Sequence, residues 1–163
     1  MSDKVILAVD GEVDLPLKLS FEELSAIDEA HQLIDVSRFD SKRKGDAVKL
    51  VGLLELAQVK SSANYIGLHA STDDFHASIP LEPIRENAFL IYRLDGKPLQ
   101  KTAGGPFRFY IPDHAECHTD EIDECANVKF VDRIELTISK GFDNRPEDEE
   151  EHAHLHAEQD GTA

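Results

Sequence analysis

Short apolar segments rich in β-branched and aromatic residues recur along this chain, and several of them end at a turn signal. The segment Val5–Val9 is followed by Asp10-Gly11, and the segment AFLIYRL is followed by Asp95-Gly96. Short apolar runs bounded by Asp-Gly are typical of β-strands. Further runs of this kind are YIGLHAS, FHASIPL, PFRFYIP and VKFVDRIELTI. The pattern predicts an α+β fold with a few short helices and either a mixed sheet or a small barrel.

Two segments predict helices. In SFEELSAI, Ser20 and Glu23 have the spacing of a capping box, which predicts a short helix from about Phe21 to Ile27. In VKLVGLLELAQV, a helical period places Val51, Leu54 and Gln58 on one face beside Leu50 and Leu53. Because that face is mainly apolar, the pattern indicates a helix packed on a sheet.

Charge divides the chain into two parts and excludes some partners. The 163 residues carry 17 Lys and Arg against 33 Asp and Glu, a net charge of −16. Binding to nucleic acid phosphates or to an anionic membrane needs clustered basic residues, so neither partner is expected. We predict one folded domain over residues 1–145 and an acidic, histidine-containing, disordered tail over residues 146–163.

The N-terminus has no pattern of a signal peptide, and no segment has the roughly 18 apolar residues of a membrane span. We therefore expect a cytoplasmic protein. In that compartment its two cysteines favour thiols or metal ligands over a disulfide.

The order of motifs resembles a known family. GDAVKLVGLLELA is followed by YIGLHASTDDFHASIPL, AFLIYRLDGKPL, AGGPFRFYIPD and NVKFVDRIEL. This succession, over roughly residues 5–140, resembles the molybdopterin-binding domain of the sulfite oxidase family of oxidoreductases. The resemblance implies that family's fold and a molybdenum cofactor, a pterin dithiolene that carries a phosphate.

The resemblance also implies a set of ligand-binding residues. By position, Arg108 in GGPFR and Lys129 in NVKF match basic residues of the family's motifs. Arginine offers a planar fork of donors to a phosphate, and lysine offers a compact charge. Gly104 and Gly105 would let the backbone approach the ligand closely. Alternatively, the two glycines belong to a tight turn and Arg108 is a charge on the sheet surface.

The chain departs from the family where the metal would be held. The family's cysteine thiolate precedes the GDAVKLVGLLELA helix, and Ser37 stands near that place here, where it could instead serve a turn. The family often has a histidine where this chain has Ala103. We therefore predict a divergent molybdopterin-dependent oxidoreductase-like domain that retains a pterin or another anionic ligand. The alternative is a non-catalytic interaction or assembly module on the same fold, with an unknown protein partner.

Both cysteines lie in the segment HAECHTDEIDEC. Together, His114, Cys117, His118 and Cys125 are a permitted ligand set for zinc, although the spacing is not that of a standard zinc finger. A Cys117–Cys125 disulfide and two reduced thiols are the other interpretations. A molybdenum cofactor, a zinc ion and no cofactor at all therefore remain open.

Two smaller features concern histidines and basic residues. The turn Thr72-Asp73-Asp74 predicts that His69 and His76 are cross-strand neighbours. The two histidines and Asp73 and Asp74 could together bind a divalent metal; alternatively, the aspartates serve the turn and the histidines lie half-buried in the sheet. The segment from Arg38 to Lys44 is the densest positive cluster in an otherwise negative chain. If it faces the ligand pocket, it favours an anionic ligand.

Overall fold

The computed structural model describes residues 6–38, 44–111 and 128–144. Within these ranges the chain forms ten strands and two α-helices. The strands are β1 (Leu7–Gly11), β2 (Leu17–Leu19), β3 (Gln32–Leu33), β4 (Asp46–Lys49), β5 (Tyr65–Ala70), β6 (Phe75–Pro80), β7 (Phe89–Leu94), β8 (Lys97–Pro98), β9 (Arg108–Tyr110) and β10 (Arg133–Thr137). The helices are α1 (Phe21–Ser25) and α2 (Leu50–Ala57).

The strands form two sheets. The first sheet has the order β2-β1-β10-β5-β6, and β1 pairs with β10 in parallel while its other pairs are antiparallel. The second sheet has the order β3-β4-β7-β8, with β9 also paired to β7. The α+β class and the mixed sheet are thus confirmed. Among the described residues the sheets do not close into a barrel.

The second sheet separates a large core from a small one because its strands alternate sides. Val48, Leu90 and Phe109 face the large core, which they share with β1, β5, β6, β10 and α2. On the opposite side, Ile91 and Tyr110 belong to a smaller cluster. The other members of that cluster are Val36, Ala47, Phe89 and Leu99, with Leu33, Leu94 and Ala103 packed against it. This second side of the sheet carries the residues considered below.

The helices differ from their predicted limits at the C-terminal ends. The capping box of α1 forms as predicted, since Ser20 Oγ accepts from the Glu23 amide and the Glu23 side chain accepts from the Ser20 amide. However, α1 ends at Ser25. Helix α2 ends at Ala57, and the exposed Gln58 takes a left-handed conformation with φ of 53°. Gln58 is therefore a helix cap, and its predicted place on the packed face was wrong.

Candidate functional site

The turn before β9 brings four of the predicted site residues together. A short 3-10 turn at Lys101–Ala103 leads into Gly104, which has φ of 95°, and the chain then enters β9 at Arg108. The amide of Phe130 donates to the Gly104 carbonyl at 2.9 Å, which brings the segment carrying Lys129 beside the turn. Gly104, Gly105, Arg108 and Lys129 are therefore spatial neighbours, although Lys129 lies more than twenty positions further along the sequence.

Tertiary contacts leave no room for a side chain at Gly104 or Gly105, and the sequence alone does not show this. A Cβ atom on Gly104 would lie 2.9 Å from Arg108 Cδ, because the arginine side chain crosses the turn at that point. A Cβ atom on Gly105 would lie 2.0 Å from the Leu99 carbonyl oxygen. Arg108 also donates to the Ala103 carbonyl at 3.3 Å. The tight packing of this turn thus holds the guanidinium in place.

Ser37 lies on the same side of the second sheet as Arg108. Its neighbour Val36 belongs to the small cluster that also contains Ile91, and Ile91 stands directly opposite Arg108 in the β7–β9 pair. Opposed residues in an antiparallel pair project from the same face. The structure therefore places the loop that carries Ser37 on the face from which Arg108 projects.

The Ser37 hydroxyl is engaged in a local turn. It donates to Asp35 Oδ1 through a short hydrogen bond, and the Ser37 amide donates to the same oxygen at 3.2 Å. Both hydrogen bonds lower the pKa of the Asp35 carboxyl, and the bond from the hydroxyl has the larger effect. The charge of Arg38 adds a smaller effect in the same direction. Asp35 itself has a left-handed backbone with φ of 62°. This geometry is that of an Asx-type turn.

A groove of about 630 Å³ opens beside this loop. Arg38 and Arg93 line it together with Ser25 from the end of α1. Arg93 Nε donates to Asp46 Oδ2 at 2.9 Å, and Asp46 Oδ1 accepts from the Asp35 amide at 2.9 Å. Arg93 pairs with Asp46 just beyond a β-bulge, one position from the Ala47–Ile91 pair, so it projects with Asp46 from the side opposite to Ile91 and Arg108. The candidate site, called the basic face of the second sheet, is defined by Arg108 and Lys129 beside Gly104. The groove with Arg38 and Arg93 is a second basic feature beside the Ser37 loop.

Sequence reasoning missed two residues of this groove. Arg93 was read only as part of a strand, and its partnership with Asp46 across β4 and β7 follows from a register that includes a β-bulge. Ser25 Oγ is buried and has no hydrogen-bond partner among the described residues. Buried hydroxyls normally find a partner, so this oxygen is a candidate contact for a bound ligand. No sequence signal distinguishes Ser25 from an ordinary residue at a helix end.

The predicted zinc ligands fall in a part of the chain that the structure does not describe. His114, Cys117, His118 and Cys125 lie outside the described residues, so the zinc, disulfide and thiol interpretations stay predictions. Within residues 6–38, 44–111 and 128–144, no group of three or more His, Cys, Asp or Glu side chains is arranged to hold a metal ion. No helix in these ranges is long and apolar enough to cross a membrane.

Comparison with known proteins identifies the kind of domain. The family model described as "Oxidoreductase molybdopterin binding domain" matches residues 2–143. The protein named "Uncharacterized oxidoreductase YuiH" of Bacillus subtilis (strain 168) is 34% identical over 113 residues, covering 65% of this chain and 56% of that protein. The chain thus spans little more than half the length of this curated relative.

A solved structure agrees at the level of the fold. The crystal structure of the sulfane dehydrogenase SoxCD from Paracoccus pantotrophus matches with a TM-score of 0.61 and 19% sequence identity. The match covers 86% of this chain and 40% of that chain. The family model covers nearly all of the part that the structure describes, and the fold agrees with it. The chain therefore belongs to the family of oxidoreductase molybdopterin-binding domains.

Proposed function

We propose that this domain binds a phosphate-bearing pterin on the basic face of the second sheet, with Arg108 and Lys129 at the anionic end. The observation that carries the proposal is the convergence of Gly104, Arg108 and Lys129, which the Phe130–Gly104 hydrogen bond ties together. Arg108 and Lys129 place two positive charges at this turn in a chain with a net charge of −16. Such a local cluster attracts an anion even when the whole protein is negative.

The Ser37 oxygen is not suited to ligate a molybdenum ion. A serine oxygen would have to lose its proton to ligate a metal strongly, and the Ser37 hydroxyl already donates that proton to the Asp35 carboxylate. Removing the proton would leave two negative oxygens in contact. The described residues include no cysteine. We therefore assign anion binding to this face and assign no redox step to Ser37.

The test is the pterin content of the full chain purified natively from a host that makes molybdenum cofactor. We expect about one pterin per chain, detected by its fluorescence after oxidation. Arg108→Gln should reduce this content at least tenfold, because it removes a charged fork that a phosphate binds. Arg85→Gln is the matched control, since the ion pair of Arg85 within the described part of the chain is with the exposed Glu82 at 4.0 Å.

Two further results decide the assignment. Ser37→Ala should leave the pterin content unchanged, because we assign its hydroxyl to the turn. Thermal unfolding of each variant shows whether a loss of pterin reflects a loss of fold. A natively purified chain without pterin, or an Arg108→Gln variant that keeps it, would overturn the proposal.

The second candidate function is a non-catalytic interaction or assembly module on the same fold. The engagement of Ser37 with Asp35 supports it over an oxidoreductase, because the residue expected near the family's thiolate position uses its hydroxyl in a turn. A chain that carries no pterin and co-purifies with a defined protein partner would support this function. Elemental analysis of the same sample also tests whether zinc accompanies His114, Cys117, His118 and Cys125.

A further inference from the structure

Two histidines face each other at one end of the first sheet. His69 on β5 pairs directly with His76 on β6, as the hairpin spacing predicted. Their Nδ1 atoms are 2.8 Å apart, and their ring centroids are 5.0 Å apart. His69 is only 8% exposed. The pair is therefore a buried or half-buried contact between two ring nitrogens.

A carboxylate holds the other nitrogen of each ring. His69 Nε2 lies 3.0 Å from Glu135 Oε1, and His76 Nε2 lies 3.0 Å from Asp74 Oδ1. An ionised carboxylate only accepts hydrogen bonds, so each Nε2 carries the hydrogen. A neutral imidazole in that tautomer has a bare lone pair on Nδ1. The two lone pairs repel each other at 2.8 Å unless a cation lies with them.

We propose that His69 and His76 bind one transition-metal ion through their Nδ1 atoms, of the class that prefers square-planar or tetragonal nitrogen sites, such as Cu²⁺ or Ni²⁺. Two nitrogens about 2.0 Å from one ion stand about 2.8 Å apart at a right angle and about 3.3 Å apart at a tetrahedral angle. The 2.8 Å between the two Nδ1 atoms is also an ordinary hydrogen-bond length, and it is closer to the right-angle spacing than to the tetrahedral one. With the two rings kept in these positions, Cu²⁺ or Ni²⁺ therefore fits better than Zn²⁺.

The hydrogen bonds from the histidine Nε2 atoms to carboxylates resemble those of metal-ligating histidines. Metal-ligating histidines usually donate their other N–H to a carboxylate, which fixes the tautomer and strengthens the ligand. Glu135 is held in turn by Arg133, whose Nη2 lies 3.4 Å from Glu135 Oε2. Phe142 stacks on the His76 ring with centroids 4.8 Å apart and so limits its rotation. Since the described residues supply no third protein ligand, solvent completes the coordination.

The experiment uses the full chain with every competing soft ligand removed. Of the eight histidines, five lie outside the described residues, as do both cysteines. Replacing those five histidines by Ala and the cysteines by Ser leaves only His31, His69 and His76. We expect this protein to bind one Cu²⁺ per chain in equilibrium dialysis, with an electron paramagnetic resonance signal split by two imidazole nitrogens.

Three variants in that background separate the site from non-specific binding. His76→Gln should weaken Cu²⁺ binding at least tenfold, and Glu135→Gln by about tenfold, as expected for a residue that positions a ligand. His31→Gln is the matched control, because His31 also contacts a carboxylate, Glu55 at 3.0 Å, but meets no second imidazole among the described residues. It should leave Cu²⁺ binding unchanged.

Thermal unfolding verifies that each variant is folded, and His76 is the main target because its side chain is more exposed than that of the buried His69. Equal Cu²⁺ binding by the background protein and by folded His76→Gln, or a signal from a single nitrogen, would overturn the proposal. The pair would then share a proton and nothing more. Neither outcome depends on whether a pterin is bound at the second sheet.

Discussion

At the scale of single residues, Ser37 is the most informative position. It stands near the place where the family carries its metal-binding thiolate, and either a ligand or a turn was compatible with its sequence context. The structure places its hydroxyl and its amide on the same Asp35 oxygen. Asp35 in turn is connected through its own amide to Asp46, the partner of Arg93. The Ser37 hydroxyl is thus engaged in a local turn.

The hydrogen bonds of Ser37 have a measurable effect on the pKa of Asp35. Their largest contribution is that of the hydroxyl, which lowers the pKa of the carboxyl. Ser37→Ala should therefore raise the pKa of Asp35 toward its ordinary value, as followed by carbon NMR of the carboxyl group during an acid titration. Ser61→Ala, at an exposed site remote in sequence, should leave it unchanged. An unaltered Asp35 pKa in Ser37→Ala would contradict the assigned hydrogen bond.

The sign of the pH effect follows from the lowered pKa. A carboxyl with a lower pKa in the folded state contributes stability above its unfolded pKa and loses it as the pH falls through its folded pKa. Ser37→Ala should therefore make the free energy of unfolding depend less on pH in this acidic range. The size of the effect is limited because Asp35 is exposed.

At the scale of elements, α2 shows how an apolar helix depends on the sheets. Its one strongly apolar side carries Leu50, Leu53 and Leu54, each about 1% exposed, into the large core. Gly52 sits where the His31 side chain passes, since a Cβ there would lie 2.8 Å from His31. The helical period predicted the buried leucines, but the position of His31 and the left-handed end at Gln58 depend on tertiary contacts.

Two leucines of α2 give a matched test of this packing. Leu54→Ala should lower the free energy of unfolding by about 2–5 kcal/mol, because it leaves a cavity in the core. Leu56→Ala, on the same helix but 43% exposed, should lower it by no more than about 0.5 kcal/mol. Urea denaturation of the two variants measures the difference. Equal losses would mean that α2 is not docked as described.

At the scale of the whole molecule, the residues after β10 close the edge of the first sheet. The Asn144 amide donates to the His76 carbonyl at 2.9 Å, and the Ser78 amide donates to Asp143 Oδ2 at 2.9 Å. The Gly141 amide donates to Ser78 Oγ at 2.9 Å. Residues 141–144 therefore belong to the folded unit, and the domain boundary after residue 145 stays a prediction.

Truncation tests that boundary. A chain ending at residue 145 should unfold with the same free energy as the full chain, since we predict that residues 146–163 add no packed contacts. A chain ending at residue 140 should lose about 2–4 kcal/mol, because each lost hydrogen bond contributes roughly 1 kcal/mol. Urea denaturation compares the three chains. A large loss on removal of residues 146–163 alone would contradict the boundary.

The fold class, most strand positions and the capping box of α1 could be predicted from the sequence. The order of its motifs also indicated the family. These features depend on local sequence patterns or on the order of motifs, so they can be predicted without the tertiary structure. It also predicted that His69 and His76 would be neighbours, because a tight turn fixes the register between two strands.

Contacts between residues that are far apart in sequence could be identified only in the tertiary structure. The neighbourhood of Gly104 and Lys129 depends on a hydrogen bond between segments, and the pairing of Arg93 with Asp46 depends on a bulged register. The carboxylates on both histidines likewise come from a turn and from β10. Such contacts are set by how two sheets pack, because side chains far apart in sequence share a site only when strand order and register bring them to one face.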